Sequence, residues 1–277
     1  MTMLDIEGVG FGYDSKLVFD NVSFGLGQGK LVGIVGPNGG GKSTLLKLMA
    51  RQLEPSCGQL RLKGKTLGSY SMKALAKQLA FLPQQPVSPA GITVEQLVQY
   101  GRHPHQGWFN QWSEEDAKQV ARAIAWMKIE DLLQQPVVSL SGGQRQRAWL
   151  AMILAQDTDI ILLDEPTSAL DIGHQTEVME SISKMTSLGK TVVLVIHDLA
   201  AAARYCDELV ALGEHGVVAA GAVEQVITKP LIDKLYDTNV DIVPAPFDGA
   251  PVIVPRRHFS SQHCSSQNSV KESLSES

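Results

Sequence analysis

The stretch LVGIVGPNGGGKST, residues 31–44, joins a short apolar run to a loop rich in glycine. Residues 31–35 are apolar, β-branched and bounded by glycine, which predicts a buried strand, and a helix is predicted from Ser43 onwards. The loop between them fits the pattern G-x-x-x-x-G-K-[ST], in which glycines let successive backbone N–H groups point at a phosphate. This order of strand, loop and helix favours an α/β fold that binds a nucleotide.

Three further segments predict the rest of the sheet. Residues 159–164 (DIILLD) and 191–198 (TVVLVIHD) are apolar runs of strand length, and residues 207–221 resemble a hairpin that turns at 214–216. Because such runs are buried on both faces, we expect helices to cover both sides of the sheet.

The region 91–155 differs, because it contains helical patterns without a convincing strand. Ser113 is a favourable N-cap, and the acids at 114–116 suit the positive end of the helix dipole. We therefore predict a helical subdomain inserted between two parts of the sheet domain. Apolar residues of its helix recur on one face at Ala117, Val120, Ile124 and Met127.

Composition limits the class of protein. The chain has 277 residues, 44% of them hydrophobic, which suits one large α/β domain or two small ones. A formal net charge of −5 argues against a general nucleic-acid binder. No apolar run approaches the ~18 residues that span a bilayer, and the first residues lack the pattern of a secretory signal. Cys57, Cys206 and Cys264 are far apart in sequence, so we expect reduced thiols, as in cytosolic proteins.

The glycine-rich loop carries the expected phosphate contacts. Lys42 is expected to reach the β- and γ-phosphates as a point charge, and the hydroxyl of Ser43 is expected to ligate Mg²⁺. The residues expected to bind the nucleotide here are Gly36, Pro37, Asn38, Gly39, Gly40, Gly41, Lys42, Ser43 and Thr44.

Acidic and imidazole side chains end two of the predicted strands. Asp164 ends DIILLD, where its carboxylate can reach Mg²⁺ directly or through water, and Glu165 is well placed to polarise the water that attacks the γ-phosphate. His197 ends TVVLVIH and, in a parallel sheet, should emerge at the same edge. We predict that it contacts the γ-phosphate.

Two residues outside these motifs complete the predicted site. Gln84, in FLPQQP, lies between a short strand and the helical region, where its amide is expected to touch Mg²⁺ or the attacking water. Gln85 is a rival by sequence alone. Tyr13 is predicted to stack on adenine, the alternative being that it only covers the edge of the core.

A second helix start follows the helical region, at LSGGQRQR (residues 140–147), where a serine and two glycines suit an anion. With the loop at 36–44, Asp164-Glu165 and His197, this motif makes the chain resemble the nucleotide-binding subunits of ABC transporters. The resemblance runs from about residue 3 to residue 255. It implies an ATPase that uses ATP and Mg²⁺, with a RecA-like P-loop core, an N-terminal antiparallel β-subdomain and an inserted α-helical subdomain.

The implied organisation is one ABC ATPase domain at residues 1–257. Its core takes about 1–90 and 156–257, and its helical subdomain about 91–155. Residues 258–277 are rich in serine and poor in large apolar residues, which predicts a disordered tail. One departure from the family is Gly40, where relatives usually carry alanine, serine or cysteine, and this change removes no ligand.

The resemblance also implies a head-to-tail dimer. The LSGGQ motif of one copy closes over the ATP held by the loop of the other, so the two-fold interface yields two composite sites. Residues 168–171 are assigned to a loop that crosses this interface, and Gln84 is favoured over Gln85 because it follows Leu-Pro. The residues implied to meet the partner's nucleotide are Ser141, Gly142, Gly143, Gln144 and Asp171.

Three softer motifs, LDIGHQ (170–175), YGRHPHQ (100–106) and PFDGAPVIVP (246–255), resemble the ATPases of ferric-siderophore importers. Haem and cobalamin importers are close alternatives. The implied partners are a second copy, two transmembrane permease subunits and, indirectly, a siderophore-binding protein, with the chain at the cytoplasmic face of the inner membrane. YGRHPHQ lacks acidic or cysteine partners for a metal, so a surface that meets the permease is favoured.

Other classes of ATPase share the main motifs. Chromosome-organising ATPases contain long coiled coils, and translation-associated ones usually fuse two domains. Here the insert has no sustained heptads and each motif occurs once, which disfavours a role on nucleic acid or ribosomes. Export in place of import remains a third possibility.

Overall fold

A computed structural model of the chain describes residues 2–14, 16–107, 112–168, 170–246 and 248–256. The predicted tail at 258–277 and Cys264 lie outside these residues. Among the described residues the strands are β1 (Thr2–Tyr13), β2 (Lys16–Gly27), β3 (Leu31–Val35), β4 (Cys57–Leu62), β5 (Lys65–Thr66), β6 (Leu79–Leu82), β7 (Ile160–Asp164), β8 (Thr191–Val195), β9 (Glu208–Gly213), β10 (Gly216–Ala222), β11 (Val240–Pro244) and β12 (Pro251–Pro255). The α-helices are α1 (Lys42–Met49), α2 (Met72–Ala76), α3 (Val94–Tyr100), α4 (Glu114–Met127), α5 (Gly142–Ala155), α6 (Ile172–Lys184), α7 (Leu199–Tyr205), α8 (Val223–Val226) and α9 (Lys229–Tyr236).

The central sheet has six strands in the order β10-β9-β3-β8-β7-β6. Strands β9, β3, β8, β7 and β6 are parallel, and β10 closes the edge as the antiparallel arm of the predicted hairpin. Strands β3, β7 and β8 are buried along their whole length, which confirms them as the core strands. The last of these ends at Val195, so His197 lies just beyond the strand.

The two faces of this sheet meet different layers. Alternate residues such as Ile161 and Val192 pack towards the helical side of the molecule, whereas Ile160 and Val193 pack towards α1 and the N-terminal strands. The second layer includes a four-stranded antiparallel sheet in the order β2-β1-β4-β5. Helices therefore cover both faces, as expected, but on this side α1 shares the layer with the antiparallel sheet, because the apolar faces of β1 and β2 also bury against α1 and the core. The antiparallel β-subdomain that the resemblance implied is confirmed.

The helical insertion lies between β6 and β7 and contains α3, α4 and α5. Ser113 caps α4 as expected, and its hydroxyl accepts a bond from the backbone N–H of Asp116. Ala117 is exposed, however, and Asp116 takes its place on the buried face. The prediction failed at this turn because Arg102 reaches in and donates from Nε to Oδ1 of Asp116 at 2.8 Å.

Candidate active site

The glycine-rich loop connects the buried strand β3 to α1 and needs glycine at defined points. Gly36 has a φ of 144°, and a Cβ added there would lie 2.3 Å from the carbonyl oxygen of Leu212. Gly41 has a φ of 86°, and its added Cβ would lie 2.7 Å from the Phe19 ring. Gly41 is also the N-cap of α1 and makes no side-chain cap bond, so no N-cap side chain occupies the backbone N–H groups of the first turn, which suit an anion.

Lys42 is the first residue of α1 and is buried within the loop. Its Nζ donates hydrogen bonds to the carbonyl oxygens of Gly36 at 2.9 Å and Pro37 at 2.8 Å. Burial lowers the pKa of Lys42, while the carboxylates of Glu165 and Asp164 act to raise it. The lysine thus brings a positive charge to the centre of the loop, opposite two acids.

Ser43 and Asp164 bring two oxygen donors together at this end of the sheet. The Ser43 hydroxyl donates to Oδ1 of Asp164 at 2.8 Å, linking the start of α1 to the end of β7. Burial and the neighbouring Glu165 raise the pKa of Asp164, although the bond from Ser43 acts to lower it. A hydroxyl and a buried carboxylate are hard ligands of the kind that Mg²⁺ prefers, so the residues present fit this cation.

Glu165 is the centre of a second group of polar side chains. Its backbone φ is 50°, in the left-handed region that non-glycine residues rarely adopt and that is often found at functional sites. Its Oε2 accepts a bond from Nε2 of Gln84 at 2.6 Å, and its Oε1 pairs with Nε2 of His197. These three residues follow β6, β7 and β8, which are adjacent parallel strands. The sheet order therefore brings the glutamine, the glutamate and the histidine together.

A cleft of about 940 Å³ lies over the glycine-rich loop and the group of Gln84, Glu165 and His197. This volume is typical of small-ligand sites. Gln84 lines it, and Gln85 does not. The Tyr13 hydroxyl lies 3.4 Å from the Thr44 hydroxyl, and its ring packs edge-on against Phe11 at 4.9 Å between centroids. Sequence-predicted residues in the lining are Tyr13, Pro37, Asn38, Gly39, Gly40, Gly41, Lys42, Ser43, Thr44, Gln84, Glu165 and His197.

Sequence reasoning missed two walls of this cleft. One is the start of β2, at residues 16–18, and the other is the turn between β9 and β10, at residues 213–215. The hairpin turn was visible in the sequence, but its position over the glycine-rich loop depends on the pairing of β9 with β3. Residues 16–18 carry no local signal for a ligand.

The second helix start lies elsewhere on the chain. Ser141 caps α5 in a capping box with Gln144, with Ser141 N donating to Oε1 of Gln144 at 3.1 Å. Asp171 caps α6 and accepts a bond from the backbone N–H of His174 at 2.9 Å. Within the described part of the chain, none of the LSGGQ residues and neither oxygen of Asp171 lines the cleft. The chain therefore holds one helix start at its cleft and presents the other away from it.

Two residues of the YGRHPHQ segment (100–106) make contacts inside the protein. Arg102 is buried, and His105 contributes Nε2 to a 2.8 Å bond with the carbonyl oxygen of Gln156. In the ranges that the structure describes, no group of three or more His, Cys, Asp or Glu side chains is placed to hold a metal. None of the helices in those same ranges combines the length and hydropathy that crossing a bilayer requires.

Comparison with known proteins identifies the family. The family model described as ABC transporter matches residues 19–168. A protein of Bacillus subtilis (strain 168), named "Probable siderophore transport system ATP-binding protein YusV", is 43% identical over 256 residues, which cover 92% of this chain and 93% of that one. The achromobactin transport ATP-binding protein CbrD of Dickeya dadantii (strain 3937) is 43% identical over 256 residues, covering 92% of this chain and 95% of the other.

Solved structures agree with this grouping. A structure described as a metal-chelate type ABC transporter in an inward-facing conformation matches with a TM-score of 0.81 at 27% identity, covering 93% of this chain and 99% of that chain. The ABC domain binds ATP, ATP-binding subunits are ATPases, and those of importers work as dimers with membrane permease subunits. The chain belongs to the ABC transporter family, as one of its ATP-binding subunits.

Proposed function

We propose that this ATPase powers the import of an iron(III)–siderophore complex through a membrane permease, from the cytoplasmic face of the inner membrane. The convergence of Glu165, Gln84 and His197 beside the glycine-rich loop carries the hydrolytic part of the proposal. The names of the relatives that match along nearly the whole chain support the substrate class.

The residues have distinct roles in this proposal. The loop at 36–44 cradles the phosphates through its backbone N–H groups, and Tyr13 stacks on the adenine. Glu165 orients and polarises the attacking water, while Lys42 and His197 stabilise the charge that develops on the transferring phosphoryl group. The residues that would hold Mg²⁺ are Ser43, Asp164 and Gln84. When bound, the cation supplies positive charge that offsets the phosphate oxygens.

Each nucleotide is shared between two copies of the chain. Because the LSGGQ residues do not line their own cleft, they are available to close over the cleft of a second copy. Ser141, Gly142, Gly143, Gln144 and Asp171 of one chain then meet the ATP held by the other. In a two-fold arrangement of this kind, both helix starts of each chain contact a nucleotide, and the dimer has two equal sites.

Crosslinking tests this shared site. One pool of protein carries Ser141→Cys and the other Asn38→Cys, both with Glu165→Gln to block hydrolysis and with Cys57 and Cys264 replaced by serine. We expect a crosslinked pair with MgATP and none with MgADP. Ser187→Cys, on the exposed turn before β8, serves as the matched control and should not crosslink to Asn38→Cys. A failure of Ser141→Cys to crosslink under any MgATP condition would refute the composite site.

Uptake of radiolabelled iron tests the transport role. Cells that lack this chain should lose uptake of at least one ferric siderophore, and the Glu165→Gln variant should not restore it. Loss of cobalamin or haem uptake in place of siderophore uptake would reassign the substrate and leave the ATPase role intact. Normal uptake of all three would reject the import proposal.

The glycines of the loop give a separate prediction about nucleotide affinity. Gly36→Ala should weaken ADP binding about tenfold or more, because its Cβ would meet the Leu212 carbonyl and the backbone would be strained by about 1–3 kcal/mol. Gly40→Ala is the matched control, since its added Cβ would lie 3.1 Å from the Pro37 carbonyl oxygen and its φ is ordinary. Calorimetric titration should show at most a small change for it. Equal losses in both variants would contradict this explanation.

A further inference from the structure

His174 lies between two segments that the composite site assigns to the partner's nucleotide. It belongs to the first turns of α6, within the LDIGHQ motif, and the roles assigned above do not involve it. Its side chain bonds to Asp171 on one side and packs against Gly143 on the other. It therefore touches both the interface-crossing loop and the start of α5.

The contact with Asp171 uses both carboxylate oxygens. Oδ1 accepts from the backbone N–H of His174 at 2.9 Å, and Oδ2 lies 2.7 Å from Nδ1 of the imidazole ring. The hydrogen bond from the backbone N–H of His174 and, to a smaller extent, the bond from its ring hold the pKa of Asp171 below its usual value. His174 thus contacts both oxygens of the carboxylate, and its Nδ1 is the ring donor.

The contact of His174 with Gly143 is a close van der Waals contact. A Cβ added at Gly143 would lie 2.5 Å from Cδ2 and 2.9 Å from Cγ of the His174 ring, too close for any side chain there. The ring therefore lies directly against the backbone of the first turn of α5. Next to it, Gly142 faces Leu170, whose Cδ2 would lie 3.5 Å from an added Cβ.

The next residue extends the link towards the hydrolytic side chain. Nε2 of Gln175 donates to the carbonyl oxygen of Thr167 at 3.4 Å, within the short segment that follows Glu165. His174 and Gln175, adjacent residues at the start of α6, therefore contact Thr167 in the segment after Glu165, Asp171 and the start of α5.

We propose that His174 is a positioning residue that holds Asp171 and the start of α5 in one fixed relation, so that both reach the partner's ATP together. This inference rests on the shared site proposed above. Holding two interface segments in the binding geometry before association reduces the ordering cost of association and strengthens the dimer. The effect should fall on ATP-driven dimerisation and on the rate of ATP hydrolysis, because the chain's own cleft lies elsewhere.

Two substitutions separate the two contacts. His174→Asn keeps a side-chain amide that can donate to Asp171 but removes the ring from Gly143. His174→Phe keeps a ring against Gly143 but cannot donate to Asp171. His174→Ala removes both contacts, and Glu177→Ala, an exposed residue on the same helix, is the matched control. All are made in the full chain with Glu165→Gln.

Dimerisation with MgATP is measured by analytical ultracentrifugation, alongside ADP affinity and the thermal unfolding midpoint. We expect His174→Ala to weaken dimerisation about tenfold or more, with the Asn and Phe variants intermediate and the Glu177→Ala control unchanged. ADP affinity and the unfolding midpoint should match the parent. In chains that retain Glu165, the rate of ATP hydrolysis at a fixed chain concentration should fall in the same order.

The outcomes separate this inference from the proposed function. Parent-like dimerisation of His174→Ala would overturn the positioning role and leave the shared site standing. Losses of ADP affinity or of the unfolding midpoint in step with dimerisation would show a merely structural role and would also overturn it. If the Glu165→Gln parent itself never dimerises with MgATP, the shared site fails and this inference fails with it.

Discussion

Replacing Glu165 with glutamine should lower the kcat of ATP hydrolysis by about 10²–10⁴-fold, the range expected when a positioned proton acceptor is removed. Glutamine has nearly the same shape and can keep a bond to Gln84, but it cannot take a proton from water. The glycine-rich loop, Ser43 and Asp164 do not depend on this carboxylate for their own contacts. ATP affinity should therefore be retained, and the variant should accumulate as an ATP-bound dimer.

Phosphate release and dimer formation are measured on the same preparation. The control is Glu224→Gln, which makes the same chemical change at an exposed position on α8. It should hydrolyse ATP at the rate of the parent under whatever conditions support turnover. Near-normal hydrolysis by Glu165→Gln would remove Glu165 from its proposed role. A large loss of ATP affinity would instead show that the residue serves binding.

The second large effect concerns stability and lies in the helical insertion. Arg102→Met should lower the free energy of unfolding by about 3–5 kcal/mol, because it leaves the buried carboxylate of Asp116 without its cation. The two side chains are only 4% and 5% exposed. Arg102 Nη1 also donates to the carbonyl oxygen of Ala155 at 2.8 Å, which ties the start of α4 to the end of α5.

A matched pair on the surface provides the control. Arg204 donates from Nε and Nη2 to Asp248, but the side chains are 52% and 42% exposed, so Arg204→Met should lower the free energy of unfolding far less than Arg102→Met does. Both variants are compared by urea denaturation. The double variant Arg102→Met/Asp116→Leu should recover part of the loss, since it removes both buried charges. Equal costs for the buried and exposed arginines would contradict the explanation.

The same ion pair predicts a pH dependence. Burial acts to raise the pKa of Asp116, but bonds from Ser113 and Arg102 outweigh it and leave the pKa below its usual value. A carboxyl whose pKa is lower in the folded state contributes stability above its unfolded pKa. This contribution is lost as the pH falls through the folded pKa. The difference in the free energy of unfolding between the parent and Arg102→Met should therefore become smaller at acid pH.

Local signals in the sequence were sufficient for several parts of the molecule. The order of strand, glycine-rich loop and helix at 31–49 depends on residues close together in the chain, where glycine, apolar residues and a helix start each act locally. The buried strands β7 and β8, the β9–β10 hairpin and the Ser113 cap are predictable for the same reason. The family resemblance then supplied the antiparallel subdomain, which residue patterns alone had not revealed.

Other features were decided only by tertiary structure, because they join residues that are far apart in sequence. Gln84, Glu165 and His197 meet because β6, β7 and β8 are neighbours in the sheet, and no periodicity within a strand encodes that order. Arg102 turned Asp116 inwards where a helical pattern had favoured Ala117. In the same way, the contact of His174 with Gly143 depends on how α5 packs beside α6, which is a property of the assembled core and not of either segment.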